Sequence, residues 1–324
     1  MAEQQVVLEV KNLKKYFPIK EGVFKRTKNY VRAVNDISFE VREQETFSLV
    51  GESGCGKSTT GRSILRLLEP TEGEVYYNGI NLLEYSKKDF RKVRKDLQLI
   101  FQDPYSSLNP RMTVKNLLLE PLLTHRIYNK KEAEQKVLSI AEKVGLTKEQ
   151  IHRHPHEFSG GQRQRISIAR AMILNPKLII LDEAVSALDV SIQAQILNLL
   201  IELQRDLKLT YIFISHDLNV VKHVSDRVGV MYLGQMVEMA ATENLYQKPM
   251  HPYTQSLLSA IPSHDPTVKK ERIVLQGDVP DPSNPPSGCP FRLRCPQAHE
   301  RCKVEKPAFV EREPNHWLAC HLYD

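Results

Sequence analysis

No apolar run in this 324-residue chain is long enough to span a bilayer, so the chain by itself forms no path through a membrane. Its first residues, Met1-Ala2-Glu3-Gln4-Gln5, lack the charged-then-apolar form of a secretory leader, which makes the cytoplasm the expected starting compartment. No internal repeat is present. Neither sign of charge dominates: 45 Lys and Arg against 39 Asp and Glu leave a net +6. That is a solvated surface that favours phosphate ligands and gives little ground for a nucleic-acid partner. Cysteine is scarce, with five residues. Cys55 stands alone, while Cys289, Cys295, Cys302 and Cys320 all fall in the last stretch. In a reducing compartment such a group points to a metal site before a pair of disulfides. What the chain does have is material for a core, 41% hydrophobic and 26% charged. Its length suits one large domain with an addition, or two domains.

The chain is organised around Gly51-Glu52-Ser53-Gly54-Cys55-Gly56-Lys57-Ser58-Thr59, directly after the apolar run Thr46-Phe47-Ser48-Leu49-Val50. Gly, four residues, Gly, Lys and Ser between a strand and a helix make a phosphate-binding loop. The glycines let the backbone turn tightly and bring its N–H groups to an anion. A helix starting near Lys57 turns its positive end toward the phosphates. Lys57 can reach the β- and γ-phosphates, and the Ser58 hydroxyl can hold Mg²⁺. The loop alone says nucleoside triphosphate; it does not separate a kinase, a GTPase and a transporter motor.

Residues 6–17 and 30–41 alternate apolar and polar, as half-buried antiparallel strands do. The basic stretch Lys25-Arg26-Thr27-Lys28 between them is expected to be a solvated tip. Residues 73–79 predict a short strand closed by Asn78-Gly79. Residues 97–101 predict another apolar strand, and residues 178–181 and 211–214 are short apolar runs of parallel-sheet type. Ile192, Ile196, Leu199, Leu200 and Leu203 mark an amphipathic helix between the last two, so a parallel α/β sheet is expected. Residues 112–156 are helical in pattern, with Ala133, Val137, Ile140, Ala141 and Val144 on one face. Residues 228–232 and 235–238 look like a final strand pair. After Ala240 the character shifts. His251-Pro252-Tyr253-Thr254 opens a short helix, and from Pro262 prolines become dense through Pro280, Pro282, Pro285 and Pro286. That predicts a loop-rich appendage.

Leu178-Ile179-Ile180-Leu181-Asp182-Glu183 is an apolar strand ending in two carboxylates. At the carboxyl end of a parallel strand, Asp182 would face Mg²⁺ beside Ser58. Glu183 would point at the γ-phosphate and polarise or deprotonate the attacking water. Phe158-Ser159-Gly160-Gly161-Gln162-Arg163-Gln164-Arg165 is a second anion-binding element, Ser and two Gly ahead of a helix. One chain needs one phosphate loop for one nucleotide. The second element is surplus unless it serves a nucleotide held elsewhere.

On these residues the chain resembles the ATP-binding cassette family, whose signature the last stretch matches with Phe158 where Leu is usual. The resemblance implies a P-loop α/β core with an antiparallel β subdomain and a helical subdomain at about 103–170, together spanning 1–240. A small cysteine-containing extension over 241–324 follows. It also implies two cassettes meeting head to tail, each ATP lying between the phosphate loop of one and the signature of the other. Gln102 matches the glutamine loop that senses Mg²⁺ and water and adjoins the membrane partner. Ser186-Ala187-Leu188-Asp189 matches the loop that crosses the dimer interface. His216 matches the switch histidine on the γ-phosphate, and Phe17, or else Tyr16, matches the aromatic stacked on adenine. Ala184-Val185 departs from the common Pro-Thr, and nothing in the mechanism depends on it. By this carry-over Glu183, His216 and Gln102 are catalytic. Ser58, Gln102 and Asp182 hold Mg²⁺. Phe17, the loop residues Gly51 and Ser53 to Thr59, Ser159, Gly160, Gly161, Gln162 and Asp189 contact nucleotide.

A finer resemblance follows. Gln102-Asp103-Pro104-Tyr105-Ser106-Ser107-Leu108-Asn109-Pro110, the signature, and the extension from His251 to the cysteines look like the ATPase subunits of oligopeptide and dipeptide importers. Of the two such subunits, the chain is more similar to the second, F-type one. That implies a D-type sibling ATPase, two transmembrane permease subunits and, indirectly, an extracytoplasmic peptide-binding protein. It implies a peripheral place on the cytoplasmic face of the inner membrane and no nucleic-acid partner. Alternatives are the same motor with nickel, glutathione or another small solute as cargo, and a soluble cassette ATPase acting on nucleic acid. A small-molecule kinase would have no use for the signature. The four clustered cysteines are separated by five, six and seventeen residues, not the paired spacing of a zinc ribbon. Thiolate ligation suits zinc or a four-iron cluster. The resemblance implies a [4Fe–4S] cluster at Cys289, Cys295, Cys302 and Cys320, with zinc or plain reduced thiols as alternatives. His299 and His321 are spare donors. His152, His154 and His156, which alternate ahead of the signature, are expected to cap or pack.

Overall fold

The apolar runs become strands covered on both faces. In the computed structural model, which describes residues 5–21, 26–261 and 272–324, Leu178–Asp182 and Thr210–Ile214 are buried at every position. They pair in parallel from Leu178↔Thr210 to Asp182↔Ile214, and Leu97–Ile100 joins the other side of Leu178–Asp182, also in parallel. The helix Val190–Leu207 connects the two buried strands and turns Ile196, Leu199, Leu200 and Leu203 inward, the stripe that its period of 3.6 demands. Val114–His125, Lys130–Lys143 and Gly160–Met172 are further helices of this unit. In the second of them Ala133, Val137, Ile140 and Ala141 are buried, and Asn129 with Glu132 forms a capping box at its start. This unit holds Arg42–Glu45 and Glu84–Ile214.

The other compact unit holds Val6–Val41, Thr46–Leu83 and Ser215–Asp324. The alternating segments form an antiparallel sheet, ordered Arg26–Arg42, Val6–Glu21, Glu72–Tyr77, Ile80–Asn81. Asn78 and Gly79 close its last hairpin with φ of 48° and 77°, the left-handed pair that matches strand twist. Thr46–Val50, buried throughout, pairs in parallel with Arg227–Tyr232 from Phe47↔Arg227 to Val50↔Val230. Gln235–Ala241 then returns antiparallel.

The expected loop-rich appendage is seen over 272–298, which carries no helix or strand, but ordered elements flank that stretch. Beyond Ala240 lie the helices Thr242–Gln247, Pro252–Ser259 and Glu300–Val304, and a hairpin of Val310–Glu313 with His316–Leu318. That hairpin adds two strands to the edge of Gln235–Ala241, in register Glu238↔Leu318. An open sheet edge with unpaired N–H and C=O groups supplies the reason, and proline content upstream carries no information about it. Glu238, with no exposed surface, secures the junction: it accepts the N–H of Met250 at 2.7 Å and of His251 at 3.0 Å, and lies 2.7 Å from His316 Nε2. Met1 to Gln4, Lys25 at the basic tip and Pro262 lie outside the described residues. Among the described residues no helix is long and apolar enough to cross a membrane.

Candidate active site

The phosphate loop leaves the buried strand at Val50 and enters the helix Lys57–Ile64 through Gly56, whose φ is 107°. A Cβ there would stand 2.1 Å from the Ala33 carbonyl oxygen, so backbone geometry and space both require glycine. Lys57 is buried, and its ammonium donates to the carbonyls of Gly51 at 2.8 Å and Glu52 at 3.0 Å. Cys55 is buried beside it, and burial pushes the thiol above its ordinary range. Ser53 and Gly54 are exposed, while Ser58 and Thr59 are half-buried. In the same unit His216 sits exposed in a turn. The Ser215 N–H donates to Leu49 O, and Ser215 Oγ accepts from the Asp217 N–H at 3.0 Å. Asp217 then caps Leu218–Val224. Of the two candidate adenine platforms, Tyr16 donates its hydroxyl to Asn35 Oδ1 at 2.6 Å. Phe17 is half-buried with the Lys15 ammonium 5.1 Å over its ring.

The remaining predicted residues fall in the other unit. Asp182 ends its strand at 1% exposure. Glu183 follows with φ of 49°, a left-handed conformation unusual for a side chain of its size and of the kind that gathers at working sites. Its N–H donates to Ile214 O at 3.0 Å, and its carboxylate accepts from Gln102 Nε2 at 3.0 Å. The glutamine and the second strand-end carboxylate, 81 positions apart, are thus brought into contact. Ser159 caps the helix Gly160–Met172: its hydroxyl accepts from the Gln162 N–H while Gln162 Oε1 accepts from the Ser159 N–H. Ser159 and Gly160 are exposed, whereas Gly161 is buried. A Cβ on Gly161 would stand 2.4 Å from Ile192 Cγ2. Ile192 lies in the first turn of the helix that follows exposed Asp189, so the signature packs against the start of that helix. The rings of His154 and His156 stack at 5.6 Å.

The cysteine expectation fares differently. Burial pushes the Cys289 and Cys320 thiols up to about 11, and neighbouring thiols add a smaller push in the same direction. Among the described residues, however, no three His, Cys, Asp or Glu side chains are gathered to hold a metal ion. Neither zinc nor an iron–sulfur cluster gains support from this geometry, since tetrahedral zinc needs its sulfurs within about 4 Å of each other. His321 is withdrawn as a spare donor: Nδ1 lies 2.7 Å from Asp324 Oδ2 and Nε2 lies 3.0 Å from Glu305 O. Sequence reasoning missed Tyr253 and Arg294. Both reach Glu52 in the phosphate loop, across 201 and 242 positions, and no local pattern announces either.

The sequence pattern of the ABC transporter family matches residues 34–186, and that of the oligopeptide/dipeptide transporter C-terminal region matches residues 237–302. The chain is 54% identical to the oligopeptide transport ATP-binding protein AppF of Bacillus subtilis, over 99% of both chains. It is 48% identical to the dipeptide transport ATP-binding protein DppF of Haemophilus influenzae, over 99% of this chain and 98% of the other. Among solved structures, an ATP-binding cassette in a dimeric post-hydrolysis state bound to ADP and Pi matches with a TM-score of 0.64 at 28% identity, covering 72% of this chain and 98% of that one. CbiO1 of Clostridium perfringens, part of an ABC transporter complex, matches with a TM-score of 0.65 at 25% identity, covering 76% and 92%.

Proposed function

The chain belongs to the ABC transporter family and carries its oligopeptide/dipeptide transporter C-terminal region, and from that premise we propose that it hydrolyses ATP to drive peptide uptake, as the F-type partner of a D-type sibling. Two permease subunits would supply the path and an external binding protein the peptide, with this chain peripheral at the inner face of the cell membrane. Residues 1–240 would form the cassette, with a helical part at about 103–170, and 241–324 the extension.

The observation that carries the reading is the signature: Ser159 and Gly160 are exposed at the amino end of a 13-residue helix. Such an end presents unpaired N–H groups and positive dipole to an anion. Within the scheme, Lys57 and the loop amides stabilise charge on the transferred phosphoryl, joined by the sibling's signature. Ser58, Asp182 and Gln102 offer hydroxyl, carboxylate and amide oxygens, the donor type that Mg²⁺ takes; these residues would hold the ion, which would supply neutralisation of phosphate charge. Gln102 orients the Glu183 carboxylate, which takes a proton from the attacking water. His216 contacts the γ-phosphate, Phe17 stacks on adenine, and Asp189 crosses to the sibling. Glu183→Gln is expected to bind Mg–ATP normally while peptide-stimulated turnover in the assembled importer falls at least about 100-fold. Near-normal turnover would remove Glu183 from this role.

For the cysteines, the proposal is a [4Fe–4S] cluster that braces the extension. Its support is the family resemblance alone. Iron and acid-labile sulfide in anaerobically purified protein test it; stoichiometric zinc, or no metal, would refute it.

A further inference from the structure

The phosphate loop carries one carboxylate, Glu52, at a place whose backbone is arranged to receive an anion. Like charge there opposes the ligand. The structure answers that charge from the far end of the chain. Arg294 Nη1 and Nη2 donate to Glu52 Oε2 at 2.7 Å and Oε1 at 3.0 Å, the two-pronged geometry of a guanidinium on a carboxylate. The Arg294 side chain is 9% exposed and that of Glu52 28%. The guanidinium also lies 5.9 Å over the Tyr232 ring. A second tie holds the loop backbone: the Tyr253 hydroxyl accepts the Glu52 N–H at 2.9 Å. Behind both ties stand the rings of Tyr232, Tyr253 and Phe291, with centroids 4.9 to 5.4 Å apart. Phe291 and Arg294 come from the segment between Cys289 and Cys295.

We propose that Arg294 is a positioning residue for nucleotide binding: by pairing Glu52, the extension neutralises the loop's own carboxylate and holds the loop in the form that accepts the phosphates of ATP. This rests on the nucleotide reading of the loop. Saturable Mg–ATP binding by the unaltered chain tests that reading separately, so its absence would count against the site and not against the brace. Removing one partner leaves an uncompensated charge, whereas removing both does not. A purely structural contact would show that pattern in the melting temperature and not in the affinity for Mg–ATP.

The measurement is Mg–ATP affinity of the full-length chain by calorimetry, with KM and kcat for ATP in the assembled importer and a melting temperature for each variant. Arg294→Met is expected to raise Kd and KM about tenfold with kcat within about twofold. Glu52→Gln combined with Arg294→Met is expected to return both to within about threefold of the unaltered protein. A lowered melting temperature with unchanged Kd, or a double variant as weak as Arg294→Met, would overturn the proposal. Should Arg294→Met fail to fold, Arg294→Lys carries the test, because it keeps the charge and loses the fork. A rise of about threefold, reversed by adding Glu52→Gln, supports the proposal; no rise overturns it.

Discussion

At the scale of single residues, the site is a set of side chains held by short, specific contacts. Glu183 shows how much one position carries: a left-handed backbone, an N–H spent on Ile214, and a carboxylate met by Gln102. Its place at the end of a buried strand was legible from the run of apolar residues before Asp182, but the contact with Gln102 was not, because a separation of 81 positions carries no pattern that fixes distance. Gly161 makes the complementary point. In sequence it belongs to an anion-binding turn; in the fold it is also the contact surface for Ile192. Gly161→Ala forces a methyl against a β-branched side chain, so a loss of about 1–3 kcal/mol in urea unfolding is expected. ATP turnover of the assembled pair should drop with it, since the displaced helix bears Ser159. An unchanged unfolding midpoint would show that Ile192 yields freely.

At the scale of elements, local rules and the open sheet edge do separate work. The helix Lys130–Lys143 is specified locally by its capping box and apolar stripe. Asn129→Ala should therefore cost about 1 kcal/mol, read in the same unfolding experiment, and leave Mg–ATP affinity unchanged. The hairpin of Val310–Glu313 and His316–Leu318 was illegible. Val310-Glu311-Arg312-Glu313 is too polar to show a strand's alternation, and the hairpin pairs with an edge about 80 residues upstream, Glu238↔Leu318. Leu318, with no exposed surface, packs with Met250 and Cys320. Leu318→Ala is expected to cost about 2–4 kcal/mol, detected as early melting of the extension by hydrogen exchange. Exchange protection unaffected around residues 310–318 would contradict that packing.

At the scale of the whole molecule, stability acquires a pH dependence from a buried ring. Burial holds His251 down at about 4, against a weaker upward pull from Glu238, while the unfolded chain titrates it near 6.5. Between those values the unfolded chain binds a proton that the folded one refuses. The contribution of neutral His251 is complete above about pH 6.5 and is lost as pH falls toward 4, on the order of 2–3 kcal/mol. His251→Asn keeps an acceptor for the Tyr253 N–H, now supplied by His251 Nδ1, and removes the titration. Its melting temperature should fall less than that of the unaltered chain between pH 7 and 4.5; parallel curves would exclude His251 as the source. The amino-acid sequence by itself determined the chemistry on offer: the phosphate loop, the paired acids, the signature and the alternation that makes sheet and helices, because each is a short-range pattern with a local physical cause. Only the tertiary structure decided that Gln102 meets Glu183, that the hairpin of Val310–Glu313 and His316–Leu318 adds strands to the edge of Gln235–Ala241, and that Arg294 pairs with Glu52. Those contacts join residues far apart in the chain, where burial and charge pairing, rather than any local preference, choose the partner.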